Sequence, residues 1–551
     1  MQARAILSKA LEDALLRLNF QLPQKLVIET PKQEKFGDLS TNVAMLLASA
    51  ARKSPRELAT QIAAILAEDT NTILKADVAG PGFINITFAP ALWRAIINDV
   101  EDKQGAFGHS DNGKGRKVLV EYVSANPTGP LHVGHGRGAA LGDSVARMLR
   151  AAGYAVETEY YLNDAGRQMR NLGLSIWLRA REISGETINF PDDCYQGQYI
   201  KDLASQLLHT EPHLLDMPEE DGKKLCQKFG TEEILRDIRE DMQEFRCEHQ
   251  RFASEAALMR SGAVENALGK LADDGKSYNR DGALWLKTTE YGDDHDRVLR
   301  KSDGLLTYFG TDIAYHDDKF QRGFDWLIDV WGADHHGYIP RMRAAIAEMG
   351  HDPEKFSVLL VQLVNLLRDG TVVAMSTRSG EFVTLKEVID EVGTDAARFM
   401  FLSRSYESPL DFDLELAKKR TLDNPVYYVQ YAHARICSLL RRATDKGVVL
   451  DNKTPLDVLE RLNTQEELAL MRQMAQYEDI VAGAAQRLAP HHISRFLLDF
   501  AALVHGYYAK QHILDEADIP ATTARLALLR AAAHVIRNGL FLLGVNAPDA
   551  M

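Results

Sequence analysis

His132 and His135, three residues apart in SANPTGPLHVGHGRGAALGD, have the side-chain types and the spacing to handle an anion. At i, i+3 they share one helical face. The run before them, Lys117 to Val123, is β-rich; Pro127, Gly129 and Pro130 then turn the chain, and a helix is expected over Gly136 to Ala152. Two imidazoles would therefore stand beside the positive end of a helix, where a nucleotide phosphate is the usual guest. Gly134, Gly136 and Gly138 would let phosphates approach the backbone. A lone HxxH is more often a cap or a packing pair, but the βαβ placement favours a nucleotide. The stretch has no GxxxxGK[ST] pattern and is not a P-loop.

A second constellation is VAMSTRSG at Val373 to Gly380. Alone it reads as a solvated connection. Joined to the histidines, Arg378 and the Ser376 hydroxyl can close over a triphosphate and stabilise charge on a leaving pyrophosphate. Two carboxylates complete the picture. Glu121 ends the first strand, and Asp312 lies in YFGTDIAYH with Tyr308 four residues earlier. Both are expected at strand ends on the ligand edge of a sheet. Planar acceptors there would hold a guanidinium in preference to an ammonium. His335 and His336 in WGADHHG invite a metal, but neighbours on a strand point to opposite faces, so no metal site is expected. Tyr428, Tyr431 and Arg435 share a helical face that would pack in a core or stack unpaired RNA bases.

The elements that must position these groups divide the chain. Its 551 residues suffice for several domains. With 45% hydrophobic and 26% charged residues, the composition is that of a globular protein. No apolar run is long enough to cross a membrane, and the amphipathic N-terminus lacks the core of a signal peptide, so a cytoplasmic protein is expected. Cys194, Cys226, Cys247 and Cys437 are scattered without CxxC spacing, which predicts buried reduced thiols and no structural zinc. Residues 1–110 read as an α+β domain, with helices at Arg4–Leu18, Ser40–Ala51 and Pro55–Ala67 and strands at Leu26–Pro31 and Gly82–Phe88. A polar linker, Gln104–Gly115, leads into alternating strand and helix signals over 111–370, interrupted by a charged helical insertion at about 180–260. Further strand signals fall at Gly282–Thr288, Leu305–His316 and Phe324–Gly337. Residues 371–417 carry the VAMSTRSG loop, no strand signal follows about Pro409, and 418–551 read as an all-α bundle. The net charge is −14, yet residues 418–551 hold 16 Lys and Arg against 14 Asp and Glu. A mildly basic region on an acidic body is compatible with a phosphate-bearing partner.

HVGH followed by MSTR resembles the HIGH and KMSKS pair of class I aminoacyl-tRNA synthetases. KFGDLSTNVAM, GPGFINI, SANPTGPLHVGH, LNDAGRQ, YFGTDIAYH, GADHHG, MSTRSGEFVTL, NPVYYVQYAHAR and LGVNAPDAM, in order along the whole chain, resemble bacterial arginyl-tRNA synthetases. The resemblance implies a Rossmann-like parallel-sheet catalytic domain with its helical insertion, an N-terminal α+β domain at the tRNA elbow, a stem-contact region at 371–417, and a C-terminal all-α domain for the anticodon. It implies ATP-dependent activation of L-arginine to arginyl-adenylate and transfer to the 3′ end of tRNA(Arg), with the tRNA bound first. ATP is then a substrate with Mg²⁺ on its phosphates, and the protein a monomer. By the same resemblance His132, His135 and Arg378 are catalytic, while Gly134, Gly136, Gly332, Asp334, His335, Met375 and Ser376 contact ATP. Glu121, Tyr308 and Asp312 would read the guanidinium, and Ser124, Asn126 and Gln168 the α-amino and carboxylate groups. Tyr428, Tyr431, Arg435, Tyr508 and Met551 would meet the anticodon, and Phe83 and Asn85 the elbow.

The chain departs from the family pattern where many relatives carry loop lysines. Ala374 and Thr377 stand there, and Thr128, Gly129 and Pro130 supply no compensating lysine before the histidines. Arg378, the histidines, the helix dipole and Mg²⁺ are left to balance the triphosphate. Two alternatives follow: a catalytically silent tRNA-binding relative, or a class I ligase for another amino acid.

Overall fold

Five parallel strands carry the histidines in the computed structural model, which describes residues 2–31, 33–373 and 383–551. They are β1 (Lys117–Glu121), β2 (Ala155–Leu162), β3 (Arg251–Ser254), β4 (Trp326–Gly332) and β5 (Phe356–Val361), in the order β5-β4-β1-β2-β3. Val118, Leu119 and Val120 are all buried, as a strand covered on both faces requires. The chain winds outward from β1 through β2 to β3, then crosses over to β4 and β5. Its switch point lies between the carboxyl ends of β1 and β4, where open α/β sheets bind ligands. Glu121 and Gly332 end those two strands.

The β1–β2 crossover is α1 (Val133–Ala151). It is buried on almost every side because the sheet covers one face and later helices the other. Gly142 permits that approach: a Cβ there would lie 2.2 Å from the Tyr122 ring. Arg398, in the helix Thr394–Phe401, fastens the far side. Fully buried, it pairs with Asp143 of α1 and donates to the carbonyls of Phe245 and Leu543, so one guanidinium joins α1, the insertion and the C-terminal end. Removing one partner of such a pair leaves a bare buried charge. Arg398→Met is expected to cost about 3 kcal/mol, read as a lowered urea midpoint.

Several expectations need correction. Leu305–His316 is not a strand: Thr307 caps α2 (Tyr308–Gln321), accepting from the Gly310 N–H, and Phe309 and Ile313 bury at i, i+4 spacing. The aromatic content of LLTYFGTDIAYH looked β-like and masked that spacing. Asp312 therefore sits on a helix, not at a strand end. Gly282–Thr288 lies outside the main sheet: Ala283–Leu286 is the middle strand of a separate antiparallel sheet. The insertion is helical over Gln198–Thr210 and Glu219–Glu244, but near its end Arg251–Ser254 form edge strand β3. A short strand, Leu410–Asp413, does follow Pro409, paired with Val364–Arg368.

The N-terminal region is a four-stranded antiparallel sheet with helices. Its Leu39–Thr41 and Ile73–Ala79 strands gave no strand signal in the sequence, and the expected Ser40–Ala51 helix starts at Val43. The C-terminal region packs α3 (Pro425–Asp445), α4 (Gln465–Gln486), α5 (His491–Lys510) and α6 (Ile519–Leu542). No described helix is long and apolar enough to cross a membrane.

Candidate active site

The two histidines form the cap of α1. His132 precedes the helix in extended conformation, and its Nδ1 accepts from the N–H groups of Gly134 and His135 at 3.1 and 3.3 Å. In return His135 Nδ1 accepts from the His132 N–H at 3.2 Å, a capping box built from imidazoles. The rings stack with centroids 3.6 Å apart, and Gly134 makes room, since a Cβ there would lie 2.9 Å from His132.

This geometry revises the anion reading in two ways. First, the Val133 N–H goes to Val383 O and the Gly136 N–H to His132 O, so the first-turn N–H groups of α1 are already engaged. Backbone donors do not hold the anion. Second, a nitrogen that accepts a backbone N–H carries no proton, so each neutral ring bears its proton on Nε2 and is a hydrogen-bond donor there. Burial lowers the His132 pKa and, with His132 beside it, takes that of His135 down to about 3, so both rings are neutral donors near pH 7. Gly136 serves packing: a Cβ there would meet Leu385 at 2.5 Å and Phe401 at 3.3 Å. Gly138 faces Val330 of β4.

Arg378, Met375 and Ser376 lie outside the described residues, but both ends of their loop are placed. Val373 N bonds Leu366 O at 2.9 Å at one end. At the other, Val133 N bonds Val383 O, Leu385 N bonds Leu131 O, and His132 bridges to Thr384. The segment 383–385, which follows the second motif in sequence, is thus held at the start of α1.

Past β1 the backbone is strained. Val123 and Ser124 have φ of 69° and 42°, costly for a β-branched residue and typical of functional turns. The turn aims Ser124 Oγ at Glu121 Oε1 (2.8 Å), and the same hydroxyl accepts from the Tyr161 N–H. Asn126 is half-buried in the following turn, whose carbonyl accepts from Thr128 N. Glu121 is already engaged. Its Oε2 accepts from Lys319 Nζ (2.6 Å) and the Tyr315 hydroxyl (2.9 Å). Lys319 also holds Asp329, which bonds His316, while Arg322 and Tyr315 hold Glu159. Burial works to lower the Lys319 pKa, but Asp329 and Glu121 raise it above the ordinary lysine range. Against its own burial Asp329 is kept below the usual range by Lys319, whereas burial pulls Glu121 upward.

Asp312 is different. Its side chain accepts from the Tyr338 hydroxyl and forms no ion pair among the described residues. Burial raises its pKa, the Tyr338 bond only partly opposing this. Tyr308, one turn earlier on the same face of α2, is 56% exposed. Gln168, at the start of a helix, and Tyr161, at the end of β2, each bury an oxygen with no hydrogen-bond partner among the described residues. Tyr161, Tyr315, Lys319 and Tyr338 were not read from the sequence. For Tyr308, Asp312, Tyr315 and Lys319 the signal was there as i, i+4, i+7 and i+11 spacing, but only once that run is taken as a helix.

On the β4 side Gly332 ends the strand, and Asp334, His335 and His336 occupy an exposed 3₁₀ turn, Ala333–Tyr338. The strand argument against a shared metal therefore does not apply there. Among the described residues the one group of three ligand side chains near a common point is His433, Cys437 and Asp549. There Cys437 Sγ lies 3.8 Å from both nitrogens of His433, so it faces the Cε1 edge rather than either lone pair, and Asp549 pairs with Arg537. The contact docks the C-terminal tail. Cys194, Cys226 and Cys247 are buried, while Cys437 is partly exposed.

Tyr428, Tyr431, Arg435 and Tyr508 do gather. The Arg435 guanidinium lies 3.5 Å over the Tyr508 ring, and His505 stacks between the sets, 4.6 Å from Tyr428 and 5.8 Å from Tyr431. The tail ending at Met551, 51% exposed, is fixed along the same helix α3 through His433 to Pro548 O and Arg441 to Asp549 O. Phe83 and Asn85 share the half-exposed face of one N-terminal strand, remote in sequence and sheet from the crevice.

Three family models match the chain: an arginyl tRNA synthetase N terminal domain over residues 1–88, a class I (R) tRNA synthetase catalytic domain over 99–405, and a DALR anticodon binding domain over 429–551. The arginine–tRNA ligase of Nitratidesulfovibrio vulgaris (strain DP4) is 55% identical, covering 100% of both chains, and that of Desulfovibrio desulfuricans is 56% identical with the same coverage. The structure of Thermus thermophilus arginyl-tRNA synthetase superposes with a TM-score of 0.76 over 100% of both chains at 24% identity, which shows a common fold. On these matches the chain belongs to the arginyl-tRNA synthetase family of class I aminoacyl-tRNA synthetases.

Proposed function

We propose that this chain is an arginine–tRNA ligase whose guanidinium recognition centres on Asp312. The observation that carries the reading is charge: Glu121, Glu159 and Asp329 each contact Lys319 or Arg322, whereas Asp312 has a hydroxyl and no ion pair among the described residues. A bound guanidinium supplies the missing cation. Glu121, with Oε2 occupied by Lys319 and Tyr315, offers Oε1 as a fixed acceptor, and Tyr308 covers the pocket. The orphan oxygen of Gln168, with Ser124 and Asn126, suits the α-amino and carboxylate groups.

An arginine carboxylate oxygen attacks the α-phosphorus of ATP in line and pyrophosphate leaves. A hydroxyl of the 3′-terminal ribose of tRNA(Arg) then attacks the carbonyl carbon and AMP leaves. The Nε2–H groups of His132 and His135 donate to phosphate oxygens, and Gly134, Gly332, Asp334 and His335 border the nucleotide; Met375, Ser376 and Arg378 close from the loop tethered at Val383. Mg²⁺ travels on the phosphates. The division of labour is residues 1–110 at the tRNA elbow, 111–370 for catalysis, 371–417 for the loop and acceptor stem, and 418–551 for the anticodon. The protein is read as a cytoplasmic monomer.

Pyrophosphate exchange with L-arginine, with and without tRNA, tests the reading: exchange dependent on arginine and tRNA is expected. Exchange with another amino acid would make it a different ligase, and tRNA binding without exchange a silent relative. Arg435→Ala, which removes the cation stacked on Tyr508, is expected to raise KM for tRNA roughly tenfold and leave KM for arginine unchanged.

A further inference from the structure

The arginine two residues beyond His135 is fully enclosed and has no counter-ion among the described residues. Arg137 donates from Nη1 to Gln362 O (2.8 Å) and from Nη2 to Ser405 O and Ser408 O (both 2.9 Å). Among the described residues it forms no ion pair, its Nε has no acceptor, and the charge that acts on it most is Arg404, exposed and of the same sign. Burial, with Arg404 second, lowers its pKa to about 10, still far above neutrality. Every other buried basic side chain of this domain discussed above, Lys319 and Arg398 included, faces a carboxylate.

Its position suggests why the charge is kept. Helical side chains lean toward the N-terminus, so the guanidinium points back toward the capped end of α1. Gln362, which it holds, follows the carboxyl end of β5, placing the cation at the sheet edge that carries the ligand crevice. Gln362 and Leu363 also join β5 to Val364–Arg368, whose hairpin leads into the signature loop. We propose that Arg137 is a positioning residue for the ATP triphosphate: a fixed, buried cation whose uncompensated charge supplies positive potential that Ala374 and Thr377 do not. It acts through space and through the strands that launch the loop, without touching ATP. The inference rests on the nucleotide reading of the histidine site.

At about 10 Å and an effective dielectric of about 20, one unit charge changes an anion's affinity roughly tenfold. Arg137→Gln is therefore expected to raise KM for ATP roughly tenfold, whereas Arg137→Lys, which keeps the charge but loses the three-carbonyl fork, stays within about twofold despite a lower Tm. Since either variant can misfold, Arg404→Glu provides a test that touches no buried contact. It sets a carboxylate beside Arg137 and should raise KM for ATP several-fold, Arg404→Gln less, while competitive binding of uncharged adenosine is unchanged in all. Equal effects of Arg404→Gln and Arg404→Glu, or adenosine binding that falls in step with ATP, would overturn the proposal. A wild-type protein without pyrophosphate exchange would instead defeat the nucleotide reading itself.

Discussion

Asp312→Asn is expected to lower kcat/KM for arginine by about 10³ while KM for ATP stays within about twofold. The substitution is nearly isosteric, and the amide oxygen can still accept from the Tyr338 hydroxyl, so the fold is retained. What disappears is a buried carboxylate that has no ion pair among the described residues. A charge-assisted, bidentate contact in a desolvated pocket is worth about 3–5 kcal/mol when one partner is removed, and about 1.4 kcal/mol is tenfold. Glu121 does not substitute, because its Oε2 is already held by Lys319 and the Tyr315 hydroxyl.

The same site predicts a pH dependence with a defined sign. Burial raises the Asp312 pKa, and arginine binds the ionised form. As pH falls toward that raised value the free carboxyl takes up a proton that arginine must displace, so KM for arginine rises on the acid side. Asp312→Asn should flatten that limb. An Asn variant within tenfold of wild type, or one that keeps the limb, would move the guanidinium elsewhere.

What the sequence made legible follows from where local and tertiary signals agree. The β1–α1–β2 unit was readable because Val118–Val120 form a buried parallel strand and the Pro/Gly turn stops it cleanly. The α2 run was misread because Tyr308, Phe309 and Tyr315 carry β propensity, and only the Thr307 cap and the burial of Phe309 and Ile313 decide for helix. Asp312 was singled out as the end of an expected strand, and that ground fails, since it lies on a helix. Lys319 was invisible: a lysine in DDKF reads as surface until the fold sets Glu121 and Asp329 against it. Gly136 was read as room for phosphate, and the fold shows that it is also room for Leu385, 2.5 Å from where a Cβ would stand.

His135 carries two functions that one pair of variants separates. Its Nδ1 caps the chain by accepting the His132 N–H, and its Nε2–H is the donor toward phosphate. Asparagine reproduces an acceptor near the Nδ1 position but has nothing at Nε2, so His135→Asn should keep most of the stability and lose about 10²–10³ in the exchange rate. Glutamine reaches the Nε2 position and abandons the cap, so His135→Gln should recover part of the rate while Tm falls; loss of a cap costs about 1 kcal/mol. Neutrality is essential to this scheme. Because burial holds the His135 pKa near 3, the ring is uncharged on both sides of pH 7, and protonating Nδ1 would break the cap rather than assist the phosphate. The exchange rate should therefore show no limb from this imidazole between pH 6 and 8.5. A limb near pH 6.5 that vanishes in His135→Asn would mean that the ring works as an imidazolium, and the donor assignment would fall.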